Sequence, residues 1–166
     1  MLIKIQATLD SLNFYRYCFS FSILTFIVSL IVGLLYRYFI DGFNLLSRHS
    51  FLALIDKPFQ EFISDTILIP LLETTFFQLI VISAFHKLRL RSDLIIIIST
   101  IAFSASHLRN GTLSAINTLF LGFVLNYSYL YWLNRSASLR IAFESSLLIH
   151  STHNFYCYLL MYVHYN

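Results

Sequence analysis

The sequence predicts an all-α protein, a polytopic membrane bundle of about five transmembrane helices. Three observations favour this fold class. Hydrophobic residues make up 58% of the 166 residues and only 11% are charged, whereas a soluble domain carries about 25% charged residues. Several apolar runs approach or reach the roughly 20 residues that a helix needs to cross a bilayer. Segments of about ten residues with alternating polarity, which would indicate a membrane β-barrel, do not occur in the sequence.

The first two predicted spans lie in the N-terminal half of the chain. Residues 17–36 form an apolar run between two arginines. This run is longer than the apolar core of a signal peptide and has no small-residue cleavage site, so we expect it to remain as a span. Residues 66–85 form the second span, with Pro70 in the first turn, where a missing N–H matters least. Between these spans, residues 51–62 are predicted to form an interfacial amphipathic helix.

The third and fourth spans are joined by a tight turn. Residues 94–108 are rich in isoleucine, and the turn-forming sequence Arg-Asn-Gly-Thr at 109–112 separates them from the fourth span, residues 113–133. The fourth span contains Asn126, an amide inside an apolar run. We interpret Asn126 as an interhelical hydrogen-bonding residue rather than as a site residue.

The last span, residues 140–163, is unusually polar in its first half, which contains two histidines, an asparagine and several hydroxyl side chains. A helix with this composition cannot face lipid on all sides, so one face must line a protein interior or a wet cavity. Glu144 lies near the membrane edge, and we expect it to pair with Arg140, four residues earlier. The chain as a whole, residues 1–166, is predicted to form a single transmembrane domain.

The distribution of Lys and Arg predicts the topology. With five spans, the N-terminus and the loops at 86–93 and 134–139 share one side of the membrane. That side carries most of the basic residues, whereas acidic residues dilute the basic ones on the other side. The bias predicts a cytosolic N-terminus. We expect a multi-pass protein of the plasma membrane of a bacterium, or of a bacterial-type membrane, that contacts the lipid bilayer and binds no nucleic acid.

Glu73 is the most informative residue in the sequence. By insertion scales a carboxylate at mid-membrane costs roughly 2.5–3.5 kcal/mol, so such a residue normally faces the bundle interior and has partners. The helical rise places Glu73, His107, His150 and Asn154 in one membrane half or close to its middle. Taken singly, His107 and Asn154 are more often interhelical hydrogen-bonding residues, contributing about 0.6–2 kcal/mol each. Taken together, the four residues predict a common site.

The order and spacing of these residues resemble the motifs of a known family. The chain contains Glu-Thr-Thr-Phe-Phe-Gln at 73–78, a Phe-x-x-x-His motif at 103–107 and a His-x-x-x-Asn motif at 150–154, each in an apolar segment. This arrangement resembles the CPBP family, the CAAX-processing and bacteriocin-processing intramembrane endopeptidases, also called the Abi family. Gly122, in the span between the second and third motifs, also matches the family pattern. The resemblance covers about residues 66–160, and the span at 17–36 is additional.

The first motif departs from the family pattern, which is Glu-Glu-x-x-x-Arg, usually with Phe before the Arg. Here Thr74 replaces the second Glu and Gln78 replaces the Arg, while Phe77 is kept. The two replaced positions are four apart and would face each other on a helix. We interpret the two changes as one compensated event, in which a neutral hydroxyl–amide pair replaces an ion pair and Glu73 is spared. By the resemblance, Thr74, Phe77, Gln78 and Phe103 support the site.

The resemblance implies an intramembrane endopeptidase that hydrolyses a peptide bond by direct attack of water. Glu73 would act as the general base with help from His107, and His150 and Asn154 would donate hydrogen bonds to the oxyanion. The partner would be a peptide or protein substrate, and no residue demands that it carry a prenyl group.

Three alternatives to this interpretation remain open. Two histidines and a glutamate can hold zinc with an open position. However, the His-Glu-x-x-His motif does not occur in the sequence, and the family is glutamate-dependent, so we expect no obligatory metal or other cofactor. The altered first motif and the small size favour, as an alternative function, a non-catalytic family member acting as an immunity factor, a chaperone or a scaffold in a membrane assembly. A proton-linked transporter would also use intramembrane Glu and His, but no inverted repeat supports it.

Overall fold

The computed structural model describes residues 12–39 and 58–165, and every regular element in these ranges is helical. The predicted interfacial helix at 51–62 lies mostly outside the described residues; its last part belongs to the second helix. The predicted all-α fold with five main helices is confirmed for the described ranges. The helices are α1 (Phe14–Phe39), α2 (residues 58–87), α3 (Ser92–Ser106), α4 (Thr112–Ser136) and α5 (Leu139–Tyr165).

Among the described residues, three helices are long and apolar enough to cross a membrane. They are the segments Phe14–Tyr36, Phe59–Lys87 and Thr112–Ser136. The other two helices depart from a typical span for different reasons. Helix α3 has only 15 residues, and α5 has 27 residues but carries the polar face noted in the sequence. The protein is therefore an integral membrane protein in which one short helix and one polar helix complete the bundle.

Helix α2 contains two π-helical segments. The α-helical segments Pro58–Ile63, Ile69–Glu73 and Ser83–Lys87 alternate with the π-helical segments Ser64–Leu68 and Thr74–Ile82. Such π segments are rare and occur often at functional sites. Glu73 is the last residue before the second of them.

The predicted start of the second span is wrong. The helix begins at residue 58 rather than 66, so Pro70 lies in its interior. Proline lacks an N–H, and its ring clashes with the carbonyl four residues before it. The π-helical segment Ser64–Leu68 resolves this conflict because it shifts the register just before Pro70, which then lies in the first turn of the α-helical segment Ile69–Glu73.

Close packing of α3 against α4 involves small and polar residues. The Ser104 hydroxyl on α3 donates to the Ala115 carbonyl on α4 at 2.7 Å, so the two backbones approach closely there. Asn126 on α4 is fully buried and donates to Thr100 on α3 at 3.0 Å. The interpretation of Asn126 as an interhelical hydrogen-bonding residue is thus confirmed.

Helix α1 packs against α4 and α5 through polar contacts between buried residues. The Tyr17 hydroxyl lies 3.2 Å from the Ser128 hydroxyl on α4. The Thr25 hydroxyl lies 3.1 Å from Nδ1 of His153 on α5. Since both partners belong to the family-like core, the additional N-terminal helix is packed on that core, and it contacts α5 three residues after His150.

Short connections hold α2, α3 and α4 next to each other. After α2, Arg89 adopts a left-handed conformation with φ 57°, and the Leu90 N–H donates to the Phe85 carbonyl at 3.2 Å, as in a Schellman ending. Between α3 and α4, Gly111 has φ 104°, a backbone conformation that favours glycine. These turns bring the middle of α2 close to the C-terminal end of α3.

Candidate active site

Glu73 meets two histidines from two other helices. Its Oε1 lies 3.4 Å from Nε2 of His107, and its Oε2 lies 3.6 Å from Nε2 of His150. The Glu73 side chain is 25% exposed, whereas those of His107 and His150 are 14% and 3% exposed. The carboxylate is therefore held from both sides by imidazole rings and remains reachable for a small molecule such as water.

His107 is the first residue of the 3₁₀ turn His107–Asn110 that follows α3. Its Nδ1 lies 3.0 Å from the Phe103 carbonyl oxygen and 3.1 Å from the Ser106 hydroxyl. A carbonyl can only accept, so Nδ1 carries a proton. When the ring is neutral, the Nε2 lone pair accepts from protonated Glu73 at 3.4 Å, and when Nε2 is protonated it donates to the ionised carboxylate. The two residues can thus share one proton.

The second imidazole, His150 on α5, is held by two residues of α2. Its Nε2 faces Glu73, and its Nδ1 lies 3.3 Å from the hydroxyl of the fully buried Thr74. An ionised carboxylate only accepts hydrogen bonds, so the neutral ring carries its proton on Nε2 and Nδ1 accepts from the Thr74 hydroxyl. Thr74 thereby aims an N–H from His150 into the site.

An aromatic cluster supports both histidines. Phe103 is fully buried, with its ring centroid 4.8 Å from that of His107 and 5.8 Å from that of His150. Phe77 packs edge-on against Phe103 at 5.2 Å. The predicted support residues Phe77 and Phe103 therefore lie directly against the site, and the position of Phe103 fixes both imidazole rings.

We expect Gly122→Ala to disturb the site through Phe103. A Cβ at Gly122 would lie 2.7 Å from Cδ1 of Phe103, a distance at which the buried ring must move. Overpacking of this kind costs about 1–3 kcal/mol, and the displaced ring would shift His107 and His150. The measurements are thermal unfolding in detergent and peptide cleavage. Gly33→Ala is the matched control, because its Cβ would have nothing within 4 Å. Equal behaviour of the two variants would contradict the prediction.

Gln78 and Thr74 do not form the predicted hydroxyl–amide pair. Thr74 contacts His150, whereas the fully buried Gln78 donates from Nε2 to Asn126 Oδ1 at 2.9 Å. Asn126 in turn donates to Thr100. The interpretation of the two replacements as one compensated pair is therefore wrong: each residue has its own partner on a different helix. Thr74 acts on the site, and Gln78 joins α2 to α4.

Asn154 lies four residues after His150 and contacts a different part of α2. Its Nδ2 donates to the main-chain carbonyl of Asp65 at 2.8 Å, in the first π-helical segment. The structure thus brings Glu73, His107 and His150 into direct proximity, whereas the Asn154 amide donates to the α2 backbone eight residues before Glu73. The role of oxyanion donor that the resemblance implies for Asn154 stays a prediction. Sequence reasoning missed Asp65. The available signal was Pro70, because a proline inside a helix leaves a carbonyl without its usual donor.

A metal site was an open alternative for the two histidines and Glu73. Within residues 12–39 and 58–165, no three His, Cys, Asp or Glu side chains form a group suited to a metal ion. Both Nε2 atoms face the carboxylate at hydrogen-bonding or slightly longer distances.

Comparison with protein families identifies the chain. The model of one family, described as "Type II CAAX prenyl endopeptidase Rce1-like", matches residues 56–156. This range contains all three motifs of the candidate site and more than half of the chain. No curated protein and no solved structure matches the sequence significantly. Together with the helical membrane fold, the match shows that the chain belongs to the Rce1-like family of type II CAAX prenyl endopeptidases.

Proposed function

We propose that this protein is an intramembrane endopeptidase that hydrolyses peptide bonds by direct attack of water, with Glu73 as the general base. The observation that carries the proposal is the contact of one membrane-embedded carboxylate with two imidazoles from separate helices, at 3.4 and 3.6 Å. An intramembrane acid with such partners is a functional group by default. The family membership supports proteolysis as the reaction.

In the proposed mechanism, Glu73 takes a proton from water while the water oxygen bonds to the substrate carbonyl carbon. The negative charge then moves to the carbonyl oxygen, where the Nε2–H of His150 donates a hydrogen bond. The proton held by Glu73 and His107 passes to the amide nitrogen as the carbon–nitrogen bond breaks. The products are a carboxylic acid and an amine, and no acyl-enzyme forms.

The side chains around Glu73 suit these roles. Thr74 orients His150 so that its N–H points into the site, and the Phe103 carbonyl orients His107. A preoriented donor costs no reorganisation during the reaction. The replacement of the family's second Glu by Thr74 therefore leaves His150 with an oriented hydrogen bond, which supports a catalytic rather than a scaffolding role.

The protein is proposed to act as a multi-pass protein in the plasma membrane of a bacterium or in a bacterial-type membrane. The Lys and Arg distribution favours a cytosolic N-terminus. The proposed substrate is a peptide or protein that enters the site from the bilayer.

The proposal is tested with purified protein in lipid vesicles. Peptides with and without a C-terminal prenylated cysteine motif are incubated with these vesicles, and the products are identified by mass spectrometry. Cleavage of at least one peptide class is the expected result. A correctly folded protein that cleaves none of them, while it still binds a membrane partner, would favour the scaffold alternative.

We propose that the reaction needs no metal ion. The His107 and His150 rings are oriented by hydrogen bonds to Phe103 and Thr74, which suits donors and proton carriers. Purified protein treated with a chelator is expected to keep its activity and to contain no stoichiometric zinc. Activity that is lost to the chelator and restored by zinc alone would place both histidines in a ligand shell instead.

A further inference from the structure

Asn154 contacts α2 in an unusual way. Its side-chain amide donates to the main-chain carbonyl of Asp65, which lies in the interior of helix α2. A carbonyl inside a helix is normally bonded to an N–H of the same helix. The acceptor on α2 therefore needs an explanation.

The sequence of α2 explains the free carbonyl. In the π-helical segment Ser64–Leu68 the hydrogen bonds run five residues back, and the Ile69 N–H donates to the Ser64 carbonyl. In the same register, the next N–H would come from residue 70 and would reach the Asp65 carbonyl. Residue 70 is proline and has no N–H. The Asp65 carbonyl is left without a donor in its own helix at the point where Asn154 approaches.

We infer that Asn154 is a positioning residue whose amide replaces the N–H that Pro70 lacks, so that α5 holds α2 in the register that places Glu73 against His150. The link to catalysis rests on the function proposed above. Because His150 and Asn154 are four residues apart on one face of α5, this face touches α2 at two points. His150 meets Glu73 at 3.6 Å, and Asn154 meets the Asp65 carbonyl at 2.8 Å.

The surroundings of this bond make the amide hard to replace by local repacking. A cavity of about 220 Å³ lies beside it, lined by Asp65, Ile69, Asn154, Cys157 and Tyr158. When the amide is removed, the Asp65 carbonyl borders this cavity. The π-helical segment Ser64–Leu68 then loses its hydrogen bond to α5, and Glu73, eight residues further along α2, is no longer held by this bond at its position along the helix axis.

The experiment compares the wild type with Asn154→Ala, Pro70→Ala and the double variant. Asn154→Ala is expected to lower kcat by about 10²-fold, the size of effect that a small misplacement produces. Pro70→Ala supplies an N–H to the Asp65 carbonyl from within α2. In the Asn154→Ala background it should therefore raise kcat by about tenfold or more, a coupling that independent sites do not show. Asn154→Asp keeps the size but removes the donor, and we expect it to behave like Asn154→Ala.

Two further measurements separate this inference from its alternatives. In the His150→Ala background, Pro70→Ala should not raise kcat. Hydrogen exchange of residues 64–73 should be faster in Asn154→Ala than in the wild type and slow again in the double variant. This measurement does not depend on peptide cleavage. If Pro70→Ala restores neither activity nor protection, Asn154 does not act through the Asp65 carbonyl. If protection is restored in a protein that shows no cleavage at all, the proposed function is wrong while the positioning contact stands.

Discussion

Glu73→Gln is expected to reduce peptide cleavage by at least about 10²-fold, within the 10²–10⁴-fold range typical of a general base. The amide keeps the size and the hydrogen-bonding capacity of the side chain, but it cannot take a proton from water. It also cannot share a proton with His107, whose Nε2 lies 3.4 Å from the carboxylate. The measurement is kcat in lipid vesicles, together with membrane abundance and thermal unfolding in detergent, both of which should stay close to wild type.

The matched control for Glu73→Gln is Glu144→Gln. Glu144 is also a glutamate on a helix of the bundle, but it is 45% exposed and its Oε1 pairs with Arg140 at 2.7 Å, as the sequence predicted. Exposed pairs of this kind contribute at most about 1 kcal/mol, so this variant should retain full activity. Wild-type cleavage by Glu73→Gln would remove the basis of the proposed mechanism, whatever the control shows.

The second large effect is expected for His150→Ala, with a loss of about 10²–10³-fold in kcat, as for the removal of one oxyanion donor. The imidazole Nε2–H is aimed at the site by Thr74, and the alanine side chain has no donor to replace it. Cleavage is measured under the same conditions as for Glu73→Gln. His150→Gln, which retains an N–H donor, is expected to recover part of the activity.

The control for His150→Ala is His86→Ala, because His86 is exposed at the end of α2. This variant should cleave at the wild-type rate. Since the almost fully buried His150 also fills space next to Phe103, folding must be checked by thermal unfolding. A folded His150→Ala protein that keeps its activity would show that the oxyanion is stabilised by other groups.

The three residues of the site core were predictable from the sequence for a physical reason. A membrane helix rarely contains a carboxylate without a partner, and Glu73, His107 and His150 are polar residues at similar depths in three separate apolar segments. The structure brings these three together. The partner of Glu144 was predictable for a simpler reason, because a pair four residues apart on one helix depends only on helical periodicity.

The partners of Thr74, Gln78 and Asn154 were not predictable in this way. Spacing showed that Thr74 and Gln78 share a helical segment, but both side chains are fully buried and meet different helices, α5 and α4. Which helix packs on which face of α2 depends on contacts between residues distant in the sequence. The sequence contained Pro70, yet only the register of the folded helix shows that the carbonyl it leaves free belongs to Asp65.

The sequence by itself determined the helical membrane class, the order of the helices and the residues of the site core. These follow from composition, from apolar length and from the cost of a polar group in lipid, all of which are local properties of the chain. The tertiary structure alone decided that α2 alternates between α and π registers, that Thr74 orients His150, and that Asn154 reaches the Asp65 carbonyl. These features depend on how buried hydrogen-bonding groups of different helices satisfy one another, and this is determined only when the helices pack.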